Sequence, residues 1–266
     1  MKRIDLKKIE HDVKIGDTTP SLKPNINEDC ILFENGEKVG FFIKNLPEKA
    51  SKLAALANLE FNSKNVPKSN MTRGRAIMKG YEENGKHGEE NLIEQMSTIL
   101  GSVPPRPYMR RPYPSISSVH SEPKAKNFIK AMVMLAKESE KIIKEIMPEL
   151  YEQQKNLLEE VPKKWRFTNL FTSSISNYNI AAAYHRDTGN IVGGANVIIT
   201  KRNNCEGGNL NVPDYGATFN QTDNSMLVYP AWRNVHGVTP IEPTYEGGYR
   251  NSLVFYPLKA FLNDKK

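Results

Sequence analysis

The segment from Ser176 to Tyr256 decides the fold. It contains four short motifs in a set order along the chain: AYHRDTGN at 183–190, EGGNL at 206–210, HGV at 236–238 and RNSLVF at 250–255. These motifs are a His-x-Asp pair, a Gly-Gly strand, a second histidine and an arginine that opens an apolar strand. We interpret this order as that of a double-stranded β-helix, which is a barrel-like jelly roll.

The wider sequence pattern supports a β core. From Trp165 onward, short runs rich in Phe, Val, Ile, Thr and Tyr alternate with turns. The runs predicted as strands are 166–172, 176–184, 195–201, 208–212, 217–219, 225–229 and 250–258. Many short strands at close spacing are typical of a sandwich or barrel. We therefore predict an α+β protein with a double-stranded β-helix (jelly-roll) core at 165–258 and an outer helical layer.

A His-x-acid pattern occurs three times in the chain, so the pattern alone is weak evidence for a site. A histidine and an acid two residues apart on a strand project from the same face and can share a metal. Only His185 and Asp187 follow strand-like sequence, at 178–183, and only they have a further histidine downstream. That residue is His236, 49 residues after Asp187 (236 − 187).

Two histidines and one carboxylate leave three positions open on an octahedral iron, as in the facial triad of Fe(II) oxygenases. A bidentate 2-oxo acid and O2 can take those positions. Zinc is chemically possible with the same ligands, but it would leave Arg250 unexplained. Arg250 follows His236 by 14 residues, and Ser252 falls on the same strand face. A guanidinium with a neighbouring hydroxyl suits the distal carboxylate of 2-oxoglutarate, whereas Arg250 taken alone could be a surface charge.

The N-terminal half predicts a hairpin and two helical regions. Apolar runs at 29–34 and 39–44 flank Asn35-Gly36 and predict a β-hairpin. A short helix is expected at 47–59, with Leu53, Leu56 and Leu59 on one face. A longer helix is expected from an N-cap at Ser121, split at Pro148 and continuing to Glu160.

Residues 61–121 are polar and lack periodicity, and we expect an irregular layer of basic loops there. Tyrosines and prolines are interleaved with the basic residues. Cations with interspersed aromatic rings suit the phosphates and bases of a nucleic acid. A long solvated loop is the alternative interpretation. The residues considered as DNA contacts are Arg73, Arg75, Arg106, Arg110 and Arg111.

Composition narrows the class of protein. The chain has 266 residues, a net charge of +7 and two cysteines far apart. The cysteines provide neither a disulfide framework nor a zinc spacing, and no apolar run approaches a membrane span. We expect no membrane partner and an intracellular protein of the nucleus or cytoplasm, including that of a phage-infected host cell. The basic charge attracts polyanions, although a merely basic surface is the alternative.

Several of these motifs together resemble the TET/JBP family of Fe(II)/2-oxoglutarate dioxygenases, in the compact stand-alone form. The resemblance also includes segments upstream of the barrel, at 72–76 and 106–114, which are similar in kind. That family oxidises the methyl group of 5-methylcytosine or thymine in nucleic acid. The motifs that carry the resemblance are His185-x-Asp187, Asn190, Glu206-Gly207-Gly208, Pro213-Asp214-Tyr215-Gly216, His236-Gly237 and Arg250-x-Ser252.

The resemblance implies a role for each matching residue. His185, Asp187 and His236 would hold Fe(II), and Arg250 would bind 2-oxoglutarate with help from Ser252. O2 would be the co-substrate. Asn190 would lie near the target base, although a turn residue is an equal interpretation. Many relatives have Asp there, and an amide can donate or accept while a carboxylate only accepts, so the base preference stays open.

The implied activity is oxidation of 5-methylcytosine in DNA to 5-hydroxymethylcytosine, with formyl and carboxyl products as a further extension. The partner would be DNA containing a C5-methylated pyrimidine, with no obligate protein partner. Alternatives are a thymine hydroxylase, a 2-oxoglutarate hydroxylase of a protein or small molecule, and a non-catalytic barrel that binds nucleic acid. We expect a flexible lead-in at 1–27 and one dioxygenase domain at 28–266, divided into 28–164 and 165–258.

Overall fold

The structure is a computed structural model that describes residues 1–70 and 94–262. Its helices are α1 (Glu48–Asn62), α2 (Lys126–Ile146) and α3 (Pro148–Glu159). The strands of the first half are β1 (Lys2–Asp5), β2 (Cys30–Glu34), β3 (Glu37–Ile43), β4 (Ser69–Asn70), β5 (Met96–Val103) and β6 (Ser115–Ile116). The strands of the second half are β7 (Ser173–Tyr178), β8 (Ala182–His185), β9 (Asn196–Asn203), β10 (Cys205–Gly207), β11 (Leu210–Val212), β12 (Ala217–Thr218), β13 (Ser225–Tyr229), β14 (His236–Val238), β15 (Ile241–Pro243) and β16 (Tyr249–Tyr256).

Two sheets form the body of the protein. The large sheet has the order β1-β2-β3-β13-β9-β16-β7-β5-β4, with β6 attached to β5, and the small sheet has the order β12-β11-β14-β8. A two-stranded sheet joins β10 to β15. Between the large and small sheets lies an apolar core that includes Phe42, Leu227, Val212 and Phe219. This arrangement confirms the predicted double-stranded β-helix.

The helices cover the opposite face of the large sheet. Phe128, Met132 and Leu135 of α2 share one buried cluster with Val197 and Leu253 of the central strands. The central strands therefore bury one face against the helices and turn the other face toward the barrel interior. The predicted outer helical layer is confirmed. No helix in the described part of the chain has the length and apolar character needed to cross a membrane.

The predicted hairpin is confirmed, since β2 and β3 pair in the antiparallel direction. Its turn residues, Asn35 and Gly36, have φ values of 51° and 84°. Positive φ at both central positions is the type I′ geometry that matches the twist of the flanking strands.

The helical predictions need two corrections. In α1 the core side is formed by Ala50, Leu53, Ala57 and Phe61, whereas Leu59 is 68% exposed. A three-residue spacing drifts by about 60° at each step around a helix, so Leu59 points away from Leu53.

The second correction concerns the longer helix. Ser121 is not its N-cap, because a 3-10 turn at Ser118–Ser121 and another at Pro123–Ala125 precede α2. The predicted break is confirmed, since α2 ends at Ile146 and Pro148 is the first residue of α3.

Residues 1–27 are packed against the core rather than being a loose lead-in. Strand β1 pairs in parallel with β2, and Leu6 and Ile26 are buried. Further along, the Gly16 N–H donates to the Tyr184 carbonyl at 2.8 Å, and the Tyr184 N–H donates to the Asp17 carbonyl at 2.9 Å. These bonds cover the outer edge of β8. The sequence did not predict this packing, because the scattered apolar residues of 1–27 follow neither a helical nor a strand period.

Two strand predictions also differ from the structure. Strand β5 lies within the segment expected to be irregular, and it pairs with β7 over its length. Its Ser, Thr and Gly content masks the usual alternation of a strand. Residues 166–172 are not a strand; Phe167 and Thr168 donate to the Phe171 carbonyl in a turn that places Leu170 and Phe171 in the core.

Replacing Leu6 tests whether the N-terminal segment is part of the folded core. Leu6→Ala should lower the free energy of unfolding by about 2–4 kcal/mol, because it removes a buried side chain and leaves a cavity. Lys7→Ala, at the exposed neighbouring position, is the matched control. Chemical denaturation of both variants gives the answer, and equal stability of the two would mean that this segment does not contribute to the core.

Candidate active site

Three potential metal ligands meet between two strands of the small sheet. His185, the last residue of β8, is paired across the sheet with His236, the first residue of β14. Their ring centroids are 4.4 Å apart. With Asp187, each residue offers one ligand atom within 4.8 Å of the others. The structure therefore brings together the three residues that the motif spacing singled out.

Backbone carbonyls orient both imidazoles. The Nδ1 atom of His185 lies 2.8 Å from the Ala183 carbonyl oxygen, and that of His236 lies 3.1 Å from the Asn234 carbonyl oxygen. A carbonyl only accepts, so each Nδ1 carries the proton and each Nε2 keeps its lone pair for a metal. Burial, followed by the neighbouring His185, lowers the pKa of His236, which favours the neutral form that binds metals.

The carboxylate of Asp187 has two different environments. Its Oδ2 atom accepts a hydrogen bond from the Asn196 Nδ2 atom at 2.8 Å. Its Oδ1 atom lies 3.5 Å from His185 Nε2. The side chains of His185 and Asp187 are 42% and 35% exposed, whereas His236 is buried, so the site opens on the His185–Asp187 side. Two imidazoles and one carboxylate oxygen are a donor set that fits Fe(II).

Arg250 lies in the barrel interior and is 2% exposed. Its Nη2 atom donates to Gln221 Oε1 at 2.9 Å. The Arg250 side chain runs directly over Gly208, where a Cβ atom would overlap the Arg250 Cδ atom. Gly208 also has a φ of +66°, so both the space and the backbone require glycine there.

Two buried donors beside one another have no hydrogen-bond acceptor. Within the described residues, Arg250 Nε and Gln221 Nε2 are both without a partner. Buried polar groups are normally paired, so this pair of donors fits an incoming carboxylate. Burial, and then repulsion from Arg202, lowers the pKa of Arg250 to about 10, which still leaves the guanidinium charged at neutral pH. The guanidinium of Arg202 already donates to the Gly207 carbonyl at 2.9 Å.

Buried hydroxyl groups lie next to Arg250 on the same inner face. Ser252 is buried and pairs across the sheet with Thr200, which in turn pairs with Ser225. The hydroxyls of Thr200 and Ser225 have no partner among the described residues. Sequence reasoning found Ser252 but missed Gln221, Thr200 and Ser225. They belong to no local motif, and only the strand register identifies Thr200 and Ser225 as neighbours of Ser252.

Asn190 lies in a buried hydrogen-bond network beside Asp187. Its side chain is buried, and its Nδ2 atom donates to Asn196 Oδ1 at 2.7 Å. In this structure Asn190 therefore supports the residue that holds Asp187. Contact between Asn190 and a target base stays a prediction.

The described part of the expected DNA-contact layer contains an exposed aromatic and basic loop at 104–114. Arg106 and Arg111 exchange backbone hydrogen bonds of 2.6 and 3.1 Å, and they enclose a short 3-10 turn at Pro107–Met109. Tyr108 is 83% exposed, and Arg110 and Arg111 are exposed. Arg73 and Arg75 lie outside the described residues.

The strand register relates this loop to the candidate metal ligands. Gly101 pairs with Ser173, and Ser173 pairs with Tyr256. Phe255 pairs with Val197, the residue after Asn196. The end of β5 and the start of β9 therefore lie at the same end of the large sheet. The loop after β5 leaves the sheet at that end, where Asn196 contacts Asp187. Three strand spacings separate β5 from β9, or about 14 Å.

Comparison with protein families gives the assignment. Residues 86–259 match the Tet_JBP family, described as the oxygenase domain of the 2OGFeDO superfamily. The chain belongs to this family. It is a 2-oxoglutarate-dependent dioxygenase of the 2OG-Fe(II) oxygenase superfamily, and its cofactors are Fe(II) and 2-oxoglutarate, with O2 as co-substrate. Among curated proteins, no sequence matches.

One solved structure supports this fold, and two others are less similar. NgTET1, solved in complex with 5mC DNA, superposes with a TM-score of 0.58 at 13% identity, covering 94% of this chain and 85% of that chain. A 2OG-Fe(II) family oxidoreductase from Burkholderia pseudomallei has a TM-score of 0.34 at 13% identity, with coverages of 77% and 88%. OsALKBH1 has the same TM-score of 0.34 and identity of 13%, with coverages of 71% and 97%. Of these three structures, NgTET1 alone has a TM-score above 0.5, and that likeness bears on the fold.

Substitution of Gly208 tests whether this residue leaves the space that the Arg250 side chain occupies. Gly208→Ala should weaken 2-oxoglutarate binding more than tenfold, because the new Cβ displaces the Arg250 side chain. Gly36→Ala is the matched control: Gly36 also has positive φ, at +84°, but a Cβ there meets nothing within 4 Å. Calorimetric titration of 2-oxoglutarate into the Mn(II)-loaded variants measures the effect. Equal affinities would show that Gly208 does not shape the pocket.

Proposed function

We propose that the chain oxidises the C5-methyl group of 5-methylcytosine in DNA to 5-hydroxymethylcytosine, and in further rounds to the formyl and carboxyl products. In this proposal His185, Asp187 and His236 hold Fe(II), while Arg250 and Ser252 bind 2-oxoglutarate. One observation carries this proposal. The cluster of His185, Asp187 and His236 lies in a chain of the Tet_JBP family, together with a buried arginine, Arg250, whose Nε donor has no partner among the described residues. The likeness to NgTET1, which was solved with 5mC DNA, supports the choice of substrate.

The pocket residues have separate tasks in this proposal. When bound, Fe(II), 2-oxoglutarate and O2 supply the oxidising power, with conversion of 2-oxoglutarate to succinate and CO2. Arg250 and Gln221 direct two donors at the distal carboxylate and fix its orientation. His236 closes the buried side of the metal site, and the more open side at His185 and Asp187 admits the methyl group.

A methyl group inside a duplex cannot reach a site in the barrel. The target base would therefore turn out of the stack, at a cost of a few kcal/mol that protein contacts must offset. The loop at 104–114 is suited to supply these protein contacts. It presents Tyr108, Arg110 and Arg111 to solvent at the same end of the large sheet as Asp187. The net charge of +7 adds a general attraction for DNA.

We also propose that residues 28–266 act as one dioxygenase domain, with 28–164 supporting the 165–258 barrel. The shared apolar cluster of α1, α2 and the large sheet supports this division. The burial of Leu6 and Ile26 favours counting residues 1–27 within the same folded unit.

The activity is tested by mass spectrometry of nucleosides from 5-methylcytosine DNA incubated with protein, Fe(II), 2-oxoglutarate and ascorbate. The intact protein should yield 5-hydroxymethylcytosine and succinate, and Asp187→Ala should yield neither, because it removes a metal ligand. Asp12→Ala removes an exposed carboxylate and should behave like the intact protein. Succinate together with 5-hydroxymethyluracil from thymine DNA would contradict the choice of base, and no succinate at all would contradict the whole proposal.

The DNA interface is tested by the salt dependence of binding. Arg110→Gln/Arg111→Gln should weaken binding to a 5-methylcytosine duplex and reduce the slope of log K against log salt by about 1.8, if both arginines neutralise phosphates. Lys52→Gln/Lys141→Gln removes two exposed charges from the helical layer and serves as the control. Fluorescence anisotropy at several salt concentrations measures the slopes, and identical slopes for the two double variants would exclude the loop from the interface.

A further inference from the structure

We propose that Asn196 is a positioning residue for the metal site, with Asn190 as its support. The two amides hold one oxygen of the Asp187 carboxylate and leave the other oxygen for the metal. This inference rests on the proposed role of Asp187 as a metal ligand, and it gives Asn190 a task other than contact with the substrate.

The hydrogen bonds form a directed chain. Asn190 Nδ2 donates to Asn196 Oδ1 at 2.7 Å, and Asn196 Nδ2 donates to Asp187 Oδ2 at 2.8 Å. A carboxylate accepts only, so Asn196 must turn its nitrogen toward Asp187 and its oxygen toward Asn190. That oxygen in turn needs a donor, which fixes the Asn190 amide. Each amide orientation therefore follows from the charge on Asp187.

Both asparagines are held by their surroundings. Asn196 is 2% exposed and begins β9, paired with Tyr229. Asn190 is 5% exposed, and its N–H donates to the Asp187 carbonyl at 2.9 Å. The turn 187–190 is also bridged to Leu258. Neither side chain can rotate freely to solvent. The hydrogen-bonded chain Asn190–Asn196–Asp187, called the relay below, therefore holds a fixed position.

The relay assigns different tasks to the two oxygens of Asp187. Oδ2 is occupied by Asn196, whereas Oδ1 faces His185 Nε2 at 3.5 Å. A carboxylate that binds metal through one oxygen leaves three positions open beside two histidines. If both oxygens were free, a bidentate carboxylate would occupy one of those positions. Asn196 thus preserves the coordination site that a bidentate 2-oxo acid and O2 require together.

Metal binding to the folded protein tests this inference without relying on turnover. The probe is Mn(II), titrated anaerobically and followed by electron paramagnetic resonance. Asn196→Asp keeps the shape but replaces the donor with a second carboxylate, and Asn196→Ala removes the donor. Each should weaken Mn(II) affinity about 10–100-fold, as is typical when a hydrogen-bond partner of a metal ligand is lost. Asn190→Ala should have a smaller effect and add little to Asn196→Ala.

The same strand provides a matched control. Asn203 ends β9 in an exposed position, so Asn203→Asp makes the same charge change away from the site. Its Mn(II) affinity should equal that of the unmodified protein. Thermal denaturation without metal checks that all variants are folded, and Asn196→Asp, being isosteric, provides the folded case if Asn196→Ala is unstable.

The outcomes separate this inference from the proposed function. Reduced affinity in both Asp187→Ala and Asn196→Asp supports the relay. Reduced affinity in Asp187→Ala with unchanged affinity in a folded Asn196→Asp overturns the relay and leaves the metal site intact. Unchanged affinity in Asp187→Ala overturns the metal assignment and the relay together.

Discussion

The burial of a charged guanidinium inside the barrel is the constraint on which the rest of the pocket depends. Removing such an ion from water carries a penalty of several kcal/mol unless polar partners replace the lost hydration. Gln221 supplies one acceptor to Arg250, and the Nε donor remains free for an anion. Gly208 has no side chain because the stem of the arginine occupies that volume. The unpaired donor and the need for glycine at position 208 therefore both follow from the burial of one arginine.

The candidate metal ligands are positioned differently, since hydrogen bonds to the backbone and to amides hold them. The cross-strand pairing of His185 with His236 sets the distance between the imidazoles, and the two carbonyls set their tautomers. The small sheet provides His185 and His236, Asp187 follows β8, and the large sheet provides Arg250 and Asn196. Closing the barrel therefore assembles a site that neither sheet holds alone.

Spacing within single strands made much of the site predictable. His185 with Asp187 and Arg250 with Ser252 lie two residues apart, and a period of two places each pair on one face. Gln221 and Asn196 could not be found in this way, because their contacts cross from one strand or loop to another. The predicted face of α1 was also partly wrong, since Ala50 and Ala57 are buried whereas Leu56 and Leu59 are exposed. Strand β5, which the sequence pattern did not predict, shows that Ser and Thr can form a strand when partner strands satisfy the backbone.

The hydrogen bonds of residues 16–17 to the outer edge of β8 have a consequence for the order of folding. Residues Gly16 and Asp17 bond to Tyr184, a partner 167 positions further along (184 − 17). On the ribosome, the earlier segment must wait unpaired until this partner is synthesised, and domains with such distant contacts fold slowly. Before residues 16–17 dock, β8, which ends in a candidate metal ligand, has an open edge able to pair with another chain. Docking of residues 16–17 thus also protects the edge of β8 against misassembly.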